Sequence, residues 1–163
     1  MKNISTLEEL DRIIRNHKEH GKRIVLANGC FDLIHVGHTR YLRESKRCGD
    51  ILIVAINSDS SVGRLKGSGR PILPESERAA ILSSFECVDY IIVFSEPNVE
   101  KILQTIQPDV HAKGSDYTRE TVPERATVLS YGGEIAITGG PKVRSTSEIL
   151  SFIRGNDMGE FHG

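Results

Sequence analysis

Arg23-Ile24-Val25-Leu26-Ala27-Asn28-Gly29-Cys30-Phe31-Asp32-Leu33-Ile34-His35-Val36-Gly37-His38 is the stretch that decides the fold. Residues 23–27 form a short apolar run, which reads as a buried parallel strand more readily than as a half-exposed antiparallel one. A helix is predicted to begin near Gly37 and to turn Tyr41, Leu42 and Ser45 inward. Cys48-Gly49-Asp50 then leads into a second apolar run over 51–56, completing a β-α-β unit. On the N-terminal side, Ser5-x-x-Glu8 has the form of a capping box. Leu7, Leu10, Ile13 and Ile14 follow at helical spacing, and Gly21 is the expected stop. On the C-terminal side the alternation continues: helix 74–84, strand 88–94, helix 97–106, strand 109–112, helix 123–131, strand 134–138 and helix 147–154. The expectation is a single α/β domain over 1–154, with a Rossmann-like, doubly wound, mainly parallel sheet and helices on both faces. The tail 155–163 is expected to fray.

Composition bounds the function. The chain has 163 residues, a length that favours one domain over two. Lys+Arg 21 against Asp+Glu 22 leaves a net charge of −1, with 26% charged and 38% hydrophobic residues, an ordinary globular balance. No basic footprint for nucleic acid is present. No apolar run approaches the roughly 20 residues of a membrane span, and residues 1–6 lack the apolar core of a signal peptide, so a cytoplasmic location away from membranes is expected. Cys30, Cys48 and Cys87 form no Cys-x-x-Cys pair and are read as reduced thiols.

In such a fold, ligands bind beyond the carboxyl ends of the strands. Two loops there are richer than connectivity requires. Residues 57–71 read as a long polar loop containing Arg64, Lys66 and Arg70, exceeding the usual two to six residues. In the other, His35-Val36-Gly37-His38 falls at the predicted start of a helix, where unpaired N–H groups and the helix dipole favour an anion. Two imidazoles three residues apart can converge on one phosphate group, which suits a triphosphate. A solvated histidine is the commoner fate of one His alone, and zinc would need further ligands. The coincidence of strand, glycine and helix favours the phosphate reading.

The chain resembles the nucleotidyltransferases with a HIGH-type signature, most closely the bacterial adenylyltransferases acting on D-glycero-β-D-manno-heptose 1-phosphate. The resemblance extends over about residues 5–153. It rests on the segments 28–38, 40–42, 57–59, 64–67, 70–71, 77–79, 88–90, Lys113-Gly114-Ser115-Asp116-Tyr117 and Ser145-Thr146-Ser147. It implies attack by a sugar-phosphate oxygen on the α-phosphorus of ATP, giving an ADP-sugar for surface-polysaccharide (lipopolysaccharide) precursors and pyrophosphate. Cytidylyltransferases for glycerol 3-phosphate or another small phospho-alcohol share the His pair and the Ser-Thr-Ser element and form the alternative. A non-catalytic nucleotide-binding module is the alternative of another class. The resemblance also implies a homodimer and, upstream, a separate sugar kinase.

Such a reaction needs cations and N–H donors to hold two anions in line. The expected catalytic set is His35, His38, Lys66 and Arg78. For Lys66 the competing reading is a solvated surface lysine, and for Arg78 a surface ion pair with Glu75 or Glu77. Nucleotide contacts are expected from Gly29, Cys30, Phe31, Gly37, Lys113, Gly114, Asp116, Ser145, Thr146 and Ser147, with Arg144 adding charge. Asp32, Asn57, Asp59, Arg64 and Arg70 are expected at the acceptor. Mg2+ is expected to ride on the nucleotide phosphates without a dedicated metal cage, with Asp32 as a candidate ligand. Departures from the heptose pattern are His111 and Ala112, where larger apolar residues are usual, Ser115 in place of glycine, and the segment 138–143.

Overall fold

The computed structural model describes residues 6–156. Five strands form one sheet: β1 (Ile24–Gly29), β2 (Ile51–Asn57), β3 (Tyr90–Phe94), β4 (Val110–Gly114) and β5 (Glu134–Thr138), in the order β3-β2-β1-β4-β5. All four pairings are parallel, so the expected α/β class holds. Seven helices accompany them among the described residues: α1 (Leu7–Glu19), α2 (Val36–Arg47), α3 (Asp59–Lys66), α4 (Glu75–Ser83), α5 (Glu100–Ile106), α6 (Arg125–Ser130) and α7 (Thr146–Asn156).

Alternation along the strands divides the core in two. Ile24, Leu26, Ile53, Ala55, Ile92 and Phe94 pack with Leu10 and Ile14 of α1 and with residues of α5 and α6. Their neighbours Val25, Ala27, Leu52, Val54, Ile56 and Ile91 pack with Tyr41 and Leu42 of α2 and Ala79 and Leu82 of α4. Since successive strand side chains point to opposite faces, helices cover both. Truncating a fully buried leucine such as Leu42 costs about 2–5 kcal/mol.

The two edges of the sheet differ in chemistry. At the amino ends, carboxylates take the free backbone donors: Asp50 accepts from Arg23 N (2.8 Å), Asp109 from Ile24 N (2.7 Å) and Asp89 from Leu52 N (2.7 Å). At the carboxyl ends the chain enters helices instead, and their unpaired N–H groups favour anions.

Three expectations change. Thr6, whose hydroxyl accepts from Glu9 N, caps α1, and Ser5 lies outside the described residues. The segment 57–71 is not one loop: the Ser58 hydroxyl accepts from Ser61 N, Ser61 and Val62 are buried, and α3 runs until Gly67 at φ 92. The last helix continues through Gly155 to Asn156, past the expected start of the tail, and 157–163 lie outside the described residues.

Candidate active site

A cleft of about 820 Å3 opens beyond the carboxyl ends of β1, β2, β4 and β5. It straddles the point where β1 continues through α2 to β2 on one side and pairs with β4 on the other. The β1–β4 pairing extends to Ala27 and Ala112. There the Tyr41 hydroxyl donates to Ala112 O (2.8 Å) and accepts from Asn28 N (3.3 Å), bridging the two strands.

The histidine pair stands at the start of α2. Gly37 N donates to His35 Nδ1 (3.1 Å), and His35 N approaches His38 Nδ1 at 3.4 Å. The rings stack with centroids 3.9 Å apart. Because each Nδ1 faces a backbone donor, each neutral ring keeps its proton on Nε2, which is the nitrogen left to donate to a ligand. Burial depresses both rings and the neighbouring His35 adds to the effect at His38, which is pushed down to about 4. The rings are therefore neutral donors at physiological pH. Gly37 is needed for a reason beyond phosphate access: a Cβ there would meet His35 Cε1 at 2.9 Å. The same Cβ would lie 3.5 Å from Arg144 O, so the approach to α7 passes close to the first turn of α2. Ser145 Oγ accepts from Glu148 N (3.1 Å), and Thr146 Oγ1 donates to Leu33 O (3.3 Å). Two helix starts thus adjoin one cleft, with Arg144, Ser145, Thr146 and Ser147 in its wall.

On the β2 side, several expected ligand contacts hold the protein together instead. Asp32 is 2% exposed and accepts from Ile72 N (2.8 Å), Leu73 N (3.0 Å) and Arg70 Nε (2.6 Å). Burial alone would raise its carboxyl, but these three donors outweigh it and hold the group below its ordinary range. Asp32 therefore anchors the segment after α3 and places Arg70 in the cleft wall. Arg78, wholly buried, donates to Leu73 O (2.9 Å), Cys30 O (2.7 Å), Asn57 O (2.8 Å) and Asp59 Oδ1 (2.7 Å). It lies beneath the cleft and ties together the ends of β1 and β2, so it is a positioning residue. Asp59 is accordingly its partner and does not line the cleft. Arg64 donates to Ser95 O (2.6 Å), also away from the cleft. Asn57 lines the cleft, with its amide nitrogen donating to Ser61 Oγ (3.0 Å) and its carbonyl facing Cys30 Sγ. Phe31, at φ 48, lies 2% exposed with its ring against His38 and Tyr41. Lys66, exposed at the end of α3, remains in the cleft wall with Gly29, Cys30 and Gly37.

On the β4 side, Lys113 is 7% exposed. Its ammonium donates to Asn28 Oδ1 (3.2 Å), lies 3.4 Å from Glu124 Oε2 and stands 5.0 Å from the Tyr117 ring centroid. Gly114 and the exposed Asp116 join the same wall, with Asp116 paired to Lys142 at 3.6 Å. Asn28, Tyr117 and Lys142, which lie in segments marked in the sequence without a role of their own, line the site, and so does Glu124, which no motif marks. The segment 113–117 and the apolar-to-polar departure at His111 are the signals in the sequence that point towards this corner. Among the described residues no group of three or more His, Cys, Asp or Glu could hold a metal ion, and both Asp32 oxygens are engaged.

Neutral imidazole donors, two helix starts and the cations Lys66, Arg70, Lys142 and Arg144 around a switch-point cleft define a binder of phosphorylated ligands. A family model described as cytidylyltransferase-like matches residues 26–141. The chain belongs to this family. It is 44% identical over 157 residues to the bifunctional protein HldE of Geotalea uraniireducens (strain Rf4), covering 96% of this chain and 32% of that protein. To the bifunctional protein HldE of Geobacter metallireducens it is 45% identical over 150 residues, 92% of this chain and 31% of the relative. The chain thus spans about a third of the length of the curated relatives it matches. Among solved structures, the lipopolysaccharide core biosynthesis protein from Thermoplasma volcanium GSS1 superposes with a TM-score of 0.61 at 32% identity, over 72% of this chain and 94% of that one. The family typically uses a divalent metal with its nucleotide. No helix among the described residues is long and apolar enough to cross a membrane.

Proposed function

We propose that the chain transfers AMP from ATP to D-glycero-β-D-manno-heptose 1-phosphate, releasing pyrophosphate and ADP-heptose. The observation that carries this reading is the neutral, Nε2-protonated His35–His38 stack at the start of α2, beside the start of α7. Neutral donors and helix N–H groups bind phosphate oxygens without requiring a change in protonation. The choice of ATP and heptose rests on the motif resemblance along the chain, and the relatives named HldE and the lipopolysaccharide-core structure support it.

In this mechanism the sugar phosphate is already an anionic nucleophile, so no covalent enzyme intermediate is needed and the protein acts by placement and charge. His35 and His38 donate to oxygens of the triphosphate where charge accumulates as the α–β bridge breaks. The α7 start, with Ser145, Thr146 and Ser147, holds the departing phosphates, and Arg144 adds charge there. Lys66 and Arg70 reach the acceptor phosphate from the β2 side. Mg2+, borne on the nucleotide's phosphates, supplies further positive charge when bound. Lys113, Gly114 and Asp116 flank the remainder of the nucleotide.

The test is pyrophosphate release by the purified chain with Mg2+, crossing ATP, CTP, GTP and UTP with heptose 1-phosphate, glycerol 3-phosphate and hexose 1-phosphates. Release with ATP and heptose 1-phosphate alone is expected. Release with CTP and glycerol 3-phosphate would move the chain to the alternative, and nucleotide binding without release would leave a non-catalytic module.

A further inference from the structure

A buried polar cluster underlies the β4 wall of the cleft, and the phosphate chemistry makes no use of it. His111 is 0% exposed, Glu124 5% and Lys113 7%. Glu124 Oε2 lies 3.4 Å from Lys113 Nζ and 3.6 Å from His111 Nε2. That oxygen and the His111 ring nitrogens make no hydrogen bond of good geometry among the described residues, and His111 and Glu124 face each other across a long polar contact. An apolar side chain at 111 would fill such a site without this cost, since a buried polar group lacking a partner is destabilising. Burial alone would raise the Glu124 carboxyl, yet the His111 ring and the Lys113 ammonium outweigh it and hold the group down at about 2. The cluster therefore keeps an ionised, acceptor-only carboxylate in the wall of a cleft built for an anion.

A carboxylate so placed repels phosphate and must face another part of the ligand. The phosphate-binding groups lie at the starts of α2 and α7 and on the β2 side, whereas Glu124 follows β4. Its neighbours in the wall include Pro123 and the Tyr117 ring, one face of which takes the Lys113 ammonium, a partly apolar surrounding that suits a planar heterocycle better than a polyhydroxyl ring. We infer that Glu124, held by His111 and Lys113, is a specificity-determining residue that accepts a hydrogen bond from the exocyclic amine of the nucleobase. It thereby selects amino-bearing bases over bases with a carbonyl at that position. The inference rests on the nucleotide-transfer reading but not on the choice of ATP.

The test compares nucleotides in which the exocyclic amine is exchanged for a carbonyl and, with it, an acceptor ring nitrogen for an N–H, ATP with ITP and CTP with UTP, and includes 2′-deoxy-ATP as a control for the ribose. Dissociation constants from thermal-shift protection and, where turnover occurs, kcat/KM are measured for wild type and Glu124→Gln. The wild type is expected to prefer the amino base in whichever pair it binds. Glu124→Gln, whose amide can donate to a carbonyl, is expected to reduce that preference by about 10- to 100-fold while leaving the 2′-deoxy ratio unchanged. If Glu124→Gln fails to fold, Glu124→Asp, which keeps the charge but shortens its reach by one methylene, is read the same way. A preference unchanged within twofold overturns the inference, as does a shift in the 2′-deoxy ratio instead, which would assign Glu124 to the ribose. If CTP proves to be the nucleotide, the ADP-heptose reading fails while the CTP/UTP ratio still decides the role of Glu124.

Discussion

Arg78→Met is the substitution that most sharply separates a structural hub from a phosphate contact. Methionine keeps the apolar stem within α4 and the helix propensity, but removes every N–H donor. The main-chain carbonyls of Leu73, Cys30 and Asn57 then lose the guanidinium at 2.7–2.9 Å. Each orphaned buried acceptor costs about 1–3 kcal/mol. The ion pair adds little, about 0–1 kcal/mol, because the Asp59 side chain is 42% exposed and water can replace its partner. Water entry from the cleft relieves part of the carbonyl penalty. The net loss falls at about 3–5 kcal/mol, the range for breaking a buried charged contact from one side. For a domain of this size that lowers Tm by about 6–20 °C, and urea denaturation reports the same loss as a shifted midpoint. Below the transition, kcat is expected to fall less than about tenfold, with KM rising as the β1 and β2 ends loosen. A variant with an unchanged midpoint and a kcat down more than about a hundredfold would refute the reasoning and put the guanidinium on the phosphates.

His35→Ala and His38→Ala are each expected to lower turnover by more than about tenfold, since each removes a donor that serves the ligand, and His35→Ala, which also removes the acceptor for Gly37 N at the start of α2, is expected to cost about 0.5–2 kcal/mol of stability. In the ligand-free protein, NMR titration of His38 is expected to show a neutral ring until the pH approaches about 4. Its folded value lies below the ordinary value of about 6.5, so the unfolded chain binds the extra proton first. The stability linked to His38 is therefore full above pH 6.5 and is lost as pH falls towards 4, a slope that His38→Gln should flatten in pH-dependent melting. Lys66→Met is expected to reduce kcat/KM for the sugar phosphate by about tenfold or more with nucleotide binding unchanged, as read by separate titrations. Equal losses for both substrates would remove Lys66 from the acceptor side.

The sequence marked the fold clearly because burial on both sheet faces writes continuous apolar runs. The apolar runs 23–27 and 51–56 mark two strands, which the structure places at Ile24–Gly29 and Ile51–Asn57, and glycine and proline punctuate the helices between strands. The segment 57–71 misled because its helix buries only Ser61 and Val62, too few positions for a period to emerge from polar residues. In the site, the His pair was legible from its own spacing, since both rings belong to one helical turn. Asp32 and Arg78 misled for a different reason. A charged residue near a cleft looks the same in sequence whether it faces the ligand or the protein, and only the positions of Ile72, Leu73, Cys30 and Asn57, up to 48 residues away, decide which. Those inward-facing charges serve the outward-facing ones. Asp32 fixes the segment that carries Arg70, and Arg78 fixes the ends of the strands from which Cys30 and Asn57 enter the cleft. The cleft is therefore rigid at the positions where sequence reading expects several of the ligand contacts. The donors left for a ligand are the ones whose backbone or side chain is fixed elsewhere: His35, His38, Lys66, Arg70 and the start of α7.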